Sequence, residues 1–390
     1  MKNGYRIVDT DTHVVPAMEL LLEHASDELR RRWDELKPYM ILQERLRTDL
    51  GDYDKPYLAL NVAPWKFDRP LGGKTGEEGN WRKKLGDAVK KLENGPEIGT
   101  WHDNPSGRLR AMDREGADRH LLIPGTFAMA STALDASLSV ELLGAYNRYI
   151  AWYCEADPDR LKASIQVSGA DPEWSAGEVK RWSNERCVAA VTVNLPQDLP
   201  VDDPDLHPIW SAMDEADLPM LHHSFFFEPP YFPGYRDIWG NAVAARAAAH
   251  PWGAQRLVAY LVLSGLFDRF PRLRVGFAEV GAGWLPFWLY RLQGQVDYMR
   301  AAIPDMKKEV LQYAAEGQIY VGLEFYEAEP LAKSIIDVLG EDVLMWQSDF
   351  PHPQCNFPNS PDLALSWTTI SESAKRKLMA ENAERYLRII

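Results

Sequence analysis

Residues 6–13 read Arg-Ile-Val-Asp-Thr-Asp-Thr-His, and residues 343–353 read Val-Leu-Met-Trp-Gln-Ser-Asp-Phe-Pro-His-Pro. Each is a short apolar run that stops at carboxylate and imidazole side chains. Working outward from these two, six further runs have the same form: 119–124, 162–167, 188–194, 218–222, 273–278 and 319–323. Apolar runs of this length without polar alternation suit strands buried on both faces, as in parallel sheets. Between them lie stretches with helical spacing at 133–155, 172–183, 204–216, 236–267, 284–302, 330–339 and 361–387. Asp171-Pro172 and Asp203-Pro204 supply a capping acid followed by proline, which is tolerated in the first helical turn. Eightfold strand–helix alternation predicts a (β/α)8 TIM barrel. The rival, a doubly wound open sheet, lacks its Gly-x-Gly-x-x-Gly turn after the first strand.

Composition narrows the function. A formal charge of −14 argues against nucleic acid, whose phosphates need a basic surface. No apolar run of 18 residues occurs, so no membrane span is expected. The N-terminus has no apolar leader core, and Cys154, Cys187 and Cys355 form neither a disulfide framework nor a CxxC site; a cytoplasmic protein is expected. Residues 18–106 break the rhythm with charged, Pro- and Gly-rich sequence. We expect one barrel over residues 1–390, with 18–106 inserted between the first and second strands over the barrel mouth or at an oligomer contact.

Candidate metal ligands cluster at the C-terminal ends of the expected strands, the face where barrel active sites form. Asp11 and His13 follow the first strand; two residues apart in extended chain, they point to one side. His222 and His223 end the fifth strand, Glu279 the sixth and Asp349 the eighth, with His352 just beyond. Each alone is a weak signal, because Asp commonly caps turns and helices. Together, carboxylates and imidazoles at four strand ends suit zinc, manganese or iron.

With these landmarks in place, the chain resembles the amidohydrolase-related family of metal-dependent barrels that includes aminocarboxymuconate-semialdehyde decarboxylase and the resorcylate-type decarboxylases. The resemblance rests on IVDTDTHV (7–14), LRAMDREGADRHLLIPG (109–125), AYNRYIAWYCEADPDRLKASIQV (145–167) and DLHPIWSAMDEADLPMLHH (205–223). It continues in SGLFDRFPRLRVGFAEVGAGWLPFWLYRL (264–292), DVLMWQSDFPHP (342–353) and ENAERYLRI (381–389). It covers nearly the whole chain apart from the insertion. It implies Asp11, His13, His223 and Asp349 as ligands of a divalent ion, zinc or manganese, with His222 packed or behind the ligands.

At the sixth strand the chain departs from the pattern, because the decarboxylases carry an acid/base histidine there and this chain has Glu279. A buried Glu can move protons if its pKa rises toward neutrality. The resemblance therefore implies a hydrolase or a decarboxylase, a carbon–carbon lyase, acting on a small organic acid, aromatic acids included, with Glu279 and His352 as catalytic groups. A second reading is a non-haem dimetal, iron-containing monooxygenase in which Glu279 and His250 join a second ion. A third is a non-catalytic subunit of a hetero-oligomeric enzyme. Relatives imply a homo-oligomer, dimer or tetramer, and the 14 tryptophans suit core or subunit contacts. Glu324, Tyr326 and the Phe225–Phe227 run are expected to line a pocket, and Arg108, Arg110 and Asp113 to form a salt-bridge network.

Overall fold

Eight strands hydrogen-bond in the order β1 (Val8–Val14), β4 (Arg119–Pro124), β5 (Leu161–Ser168), β6 (Val188–Asn194), β7 (Met220–His223), β8 (Val275–Ala278), β9 (Ile319–Glu324) and β10 (Leu344–Gln347). The computed structural model describes residues 1–43, 57–60, 102–125, 130, 134–196, 199–223, 242–352 and 355–389. All seven successive pairings in this sheet are parallel. A parallel bridge from Thr12 to Phe350 joins first strand to last, with His13 N donating to Phe350 O over 2.7 Å and Asp349 N to Asp11 O over 3.0 Å. The sheet is thus a barrel, as the alternation predicts.

The strands are buried along nearly their whole length, which explains why they read as unbroken apolar runs. Val8, Leu121, Leu221, Tyr320 and Met345 form one cluster with Ala383, Tyr386 and Leu387 of the C-terminal helix Asn382–Leu387. Tyr386 donates to Met220 O over 2.7 Å at the start of β7, so this helix plugs the end opposite the ligand-bearing strand ends. Gly276 makes room for it, because a Cβ there would stand 2.5 Å from Tyr386 Cζ. A larger cluster lies between the strands and the helices α1 (Pro105–Glu115), α2 (Ala136–Cys154), α3 (Pro172–Trp182), α4 (His207–Ala216), α5 (Ala242–Leu263), α6 (Trp284–Met299) and α7 (Ala328–Leu339).

Four local expectations are corrected. Helix α1 does not figure among the predicted helices, although Asn104 caps it through Gly107 N, Pro105 opens it and Gly116 closes it at φ +85°. The stretch 236–267 is helical from Ala242 and stops at Leu263, where Gly265 at φ +75° starts a new turn; 236–241 lie outside the described residues. The stretch 361–387 is broken into Ser360–Leu365, Glu372–Arg376, a π-turn at Lys377–Glu381 and Asn382–Leu387. Glu329 draws the backbone N–H groups of Thr368 and Thr369 out of the helix, and the Ser371 side chain caps the restart. The first strand runs on through His13 rather than ending at Asp9, because closure of the barrel gives its polar half a hydrogen-bonding partner beyond β10.

Within 18–106, the described pieces are two short helices (Met18–Glu23, Asp27–Arg31), a 3-10 helix (Trp33–Tyr39) and an antiparallel pair, β2 (Met40–Gln43) with β3 (Tyr57–Leu60), besides the start of α1. Residues 44–56 and 61–101, most of the expected insertion, lie outside the described residues. Among the described residues no helix is long and apolar enough to cross a membrane.

Candidate metal centre

Six of the side chains singled out in the sequence meet at one end of the barrel. Strand β1 carries Asp11 and His13, β7 ends in His223, Glu279 follows β8 directly, and Asp349 follows β10 after Ser348. The contacts form a chain. Asp349 Oδ1 lies 2.9 Å from His13 Nε2, which lies 3.1 Å from Asp11 Oδ1. Asp11 Oδ1 is 3.5 Å from His223 Nε2, and that nitrogen is 3.3 Å from Glu279 Oε2. His352 Nδ1 donates to Asp349 Oδ1, and its ring centroid is 4.4 Å from that of His13.

The donor set fits a divalent ion. Both Asp11 oxygens are buried, and among the described residues neither accepts a hydrogen bond of normal geometry. Ligand atoms about 2.0–2.2 Å from one ion lie about 3–3.5 Å from each other, the spacing seen here. Two overlapping groups have ligand atoms close enough to share an ion, Asp11–His13–His223 and His13–Asp349–His352. His13 faces both Asp11 and Asp349 through Nε2. One lone pair serves one ion, so the overlap favours a single centre.

Electrostatics give the same picture. Burial works against charge on Asp11, but the His223 and His13 imidazoles outweigh it and hold the carboxyl at about 2. Burial likewise opposes a charged His13, yet Asp11 and Asp349 push its pKa up to about 10. Asp349 is also buried and is held well below the carboxylate range by His352 and His13. A proton and a cation therefore compete for the same lone pairs, and metal binding releases the proton.

Backbone geometry marks the same residues. Glu279 sits at φ +52° and Asp349 at φ +65°, the left-handed region that L side chains rarely enter. Strained positions of this kind collect at functional sites, where surrounding structure holds them. His250 on α5 helps hold Glu279, because its Nδ1 lies 2.8 Å from the Glu279 carbonyl oxygen. A carbonyl only accepts, so Nδ1 carries a proton and donates it to this contact. His222 faces elsewhere, its ring edge-on to Phe277 at 5.5 Å between centroids.

Beneath the centre lies a group the sequence left without a role. Asp9, Glu115 and His120 are buried with ligand atoms within 4.8 Å of one another. Arg108 adjoins them, its Nη1 3.5 Å from His120 Nδ1, its Nη2 donating to His13 O, and its guanidinium 4.7 Å from the centre of the Phe350 ring. Burial, reinforced by the Arg108 charge and opposed by Glu115, pushes His120 down to about 4, so it is neutral. Burial and the Glu115 charge raise Asp9 well above its ordinary value. Asp113 pairs instead with Arg160 at 2.8 Å, and Phe225–Phe227 lie outside the described residues.

Glu324, at the end of β9, also turns out to be chemically unusual. Burial, with the Asp349 and Asp11 charges and against a hydrogen bond with Tyr326, lifts its pKa from 4.5 to about 8. The folded chain thus keeps a proton that the unfolded chain releases near 4.5, and stability falls as pH rises between these values. In chelator-treated protein, Glu324→Gln is expected to flatten the decline in melting temperature between about pH 5 and pH 8. A melting-temperature profile parallel to the parent's would remove Glu324 from this account.

Comparison with known proteins agrees with the fold. Over 300 residues the chain is 26% identical to gamma-resorcylate decarboxylase of Rhizobium radiobacter, covering 72% of this chain and 86% of that protein. It is 23% identical to 2-amino-3-carboxymuconate-6-semialdehyde decarboxylase of Dictyostelium discoideum over 292 residues, 73% of this chain and 76% of the relative. The crystal structure of 5-carboxyvanillate decarboxylase from Novosphingobium aromaticivorans, complexed with manganese and 4-hydroxy-3-methoxy-5-nitrobenzoic acid, superposes with a TM-score of 0.67 at 20% identity. That superposition covers 99% of this chain and 97% of the other. The amidohydrolase family model matches residues 8–389, so the chain belongs to the amidohydrolase family.

Proposed function

We propose that the chain is a divalent-metal-dependent enzyme that removes CO2 from a small aromatic carboxylic acid. The observation that carries this reading is the buried chain of contacts from Asp349 through His13, Asp11 and His223 to Glu279. Its support from outside the chain is that the relatives named above are decarboxylases of carboxylated, mostly aromatic compounds.

Asp11, His13, His223 and Asp349 would hold the ion, manganese or zinc. When bound, the ion supplies positive charge that fixes a substrate carboxylate or phenolate and stabilises negative charge as it develops. The protein's own groups handle the proton. Decarboxylation exchanges CO2 for a proton at one carbon. Glu279, buried and held by His250, places its carboxyl proton on the carbon that loses CO2 and is reloaded from water. The C–C bond breaks, its electron pair stays with the ring carbon, and the proton restores neutrality there. His352 donates to Asp349 and keeps that carboxylate turned toward His13.

A dimetal oxygenase is the second reading, favoured by the Glu279 carboxylate beside His223 and by the His250 imidazole packed against the Glu279 backbone. Metal analysis separates the two. We expect one manganese or zinc ion per chain and 13CO2 release from carboxyl-labelled hydroxybenzoic acids without oxygen uptake. Two iron ions per chain with dioxygen consumption would replace the decarboxylase reading by the oxygenase, and ester or amide cleavage without CO2 would replace it by a hydrolase.

We also propose a homo-oligomer, dimer or tetramer. Phe287, Tyr290 and Tyr298 on α6 are exposed at helical spacing, and their rings suit contact with a second copy or a different subunit.

A further inference from the structure

We infer that Asp9 is a positioning residue: through two backbone N–H groups it sets the separation of Asp11 and Asp349, and so the affinity of the centre for its ion, without touching the ion. The inference rests on the reading of Asp11, His13, His223 and Asp349 as metal ligands.

Three observations carry it. First, one oxygen of Asp9, Oδ1, accepts from Asp11 N and from Ser348 N, each over 3.1 Å. The first donor belongs to a proposed ligand; the second belongs to the residue before another. Asp9 is buried, so these bonds do not compete with water. Second, the register of β1 on β4 slips by one residue between Asp9 and Thr12. Such a bulge re-aims side chains, and here it brings Asp11 N back onto the Asp9 carboxylate. Third, Asp349 occupies a left-handed conformation that its neighbours must impose. Ser348 N on Asp9, Asp349 N on Asp11 O and His13 N on Phe350 O hold this seam together. Arg108 adds a clamp by donating to His13 O while its guanidinium lies over the Phe350 ring.

The same carboxylate could be read as part of a second cation site with Glu115 and His120. Arg108 argues against this. Neutral His120 with its Nδ1 toward the guanidinium accepts there, which puts its proton on Nε2, on the side of Glu115 Oε2 at 3.8 Å. That nitrogen then has no lone pair for a cation, and Arg108 already supplies a positive charge.

The test is manganese affinity of the full chain, measured by chelator competition after stripping. Asp9→Asn keeps a carbonyl oxygen for both N–H groups and is expected to bind within about threefold of the parent. Asp9→Ala removes the acceptor and is expected to bind about ten- to a hundredfold more weakly, the usual cost of losing a group that orients a ligand. Far-UV circular dichroism and the melting temperature of the stripped proteins check folding. If Asp9→Ala does not fold, Asp9→Ser, with a shorter acceptor, takes its place with an expected loss of about tenfold. A folded Ala or Ser variant with parental affinity overturns the inference, as does an Asn variant as weak as the Ala variant, which would assign the effect to charge. Two manganese ions in the parent and one in Glu115→Gln would overturn it in favour of the second cation site. A parent that binds no manganese would instead sink the reading of the centre itself.

Discussion

Asp349→Asn protein, stripped and reloaded, is expected to bind manganese at least about a hundredfold more weakly than the parent, because losing even an orienting partner of a ligand costs about ten- to a hundredfold. Asn is chosen because Asp349 sits at φ +65°, and Asn is among the few residues that tolerate this conformation. The backbone therefore keeps its path, and the change isolates the negative charge. That charge lies 2.9 Å from His13 Nε2 and also accepts from His352. Without it, only Asp11 opposes an ion's charge among the four proposed ligands, and His13 loses one of the two carboxylates that raise its pKa. Equilibrium dialysis followed by elemental analysis measures the effect. Parental manganese content in a folded Asn variant would remove Asp349 from the ligand set.

Glu279→Gln is expected to keep one ion per chain and lose about 10²–10⁴ in kcat, the range contributed by a positioned general acid or base, with KM changed far less. Gln preserves size and the His250 contact, which is made to the backbone carbonyl. What disappears is the transferable proton. The dimetal reading expects something different, the loss of an ion with the carboxylate, because Glu279 Oε2 would then be a ligand beside His223. Metal content and steady-state kinetics measured on one preparation separate the outcomes. A Gln variant with full metal and undiminished kcat would show that the proton comes from another group, and Glu324, lifted to about 8 by burial, would be the first to test.

Much of the scaffold was legible in the chain because its signals are local. Eight apolar runs alternating with helical stretches describe a barrel; residue type marks Asp11, His13, the His222-His223 pair, Glu279 and Asp349 as donors at strand ends, and the family resemblance selects His223 from the pair. Helix α1 carries local start and stop signals as well, Asn104-Pro105 and Gly116. Other features had no local signature. Polar Thr10, Asp11, Thr12 and His13 look like a turn until Phe350 and Asp349 arrive to hydrogen-bond the strand they belong to. Glu324 looks like any strand-end carboxylate until burial changes its chemistry.

The sequence by itself determined the architecture, the donor types and the face of the barrel on which they gather, because strand period and residue chemistry act over a few positions. Only the tertiary structure decided which donors touch, how they are charged and what holds them. Asp9 and Ser348 meet across 339 residues of chain, and Asp11 is ionised inside the protein because two imidazoles reach it there. Burial and approach of that kind depend on the closed barrel, and no window of neighbouring residues contains them.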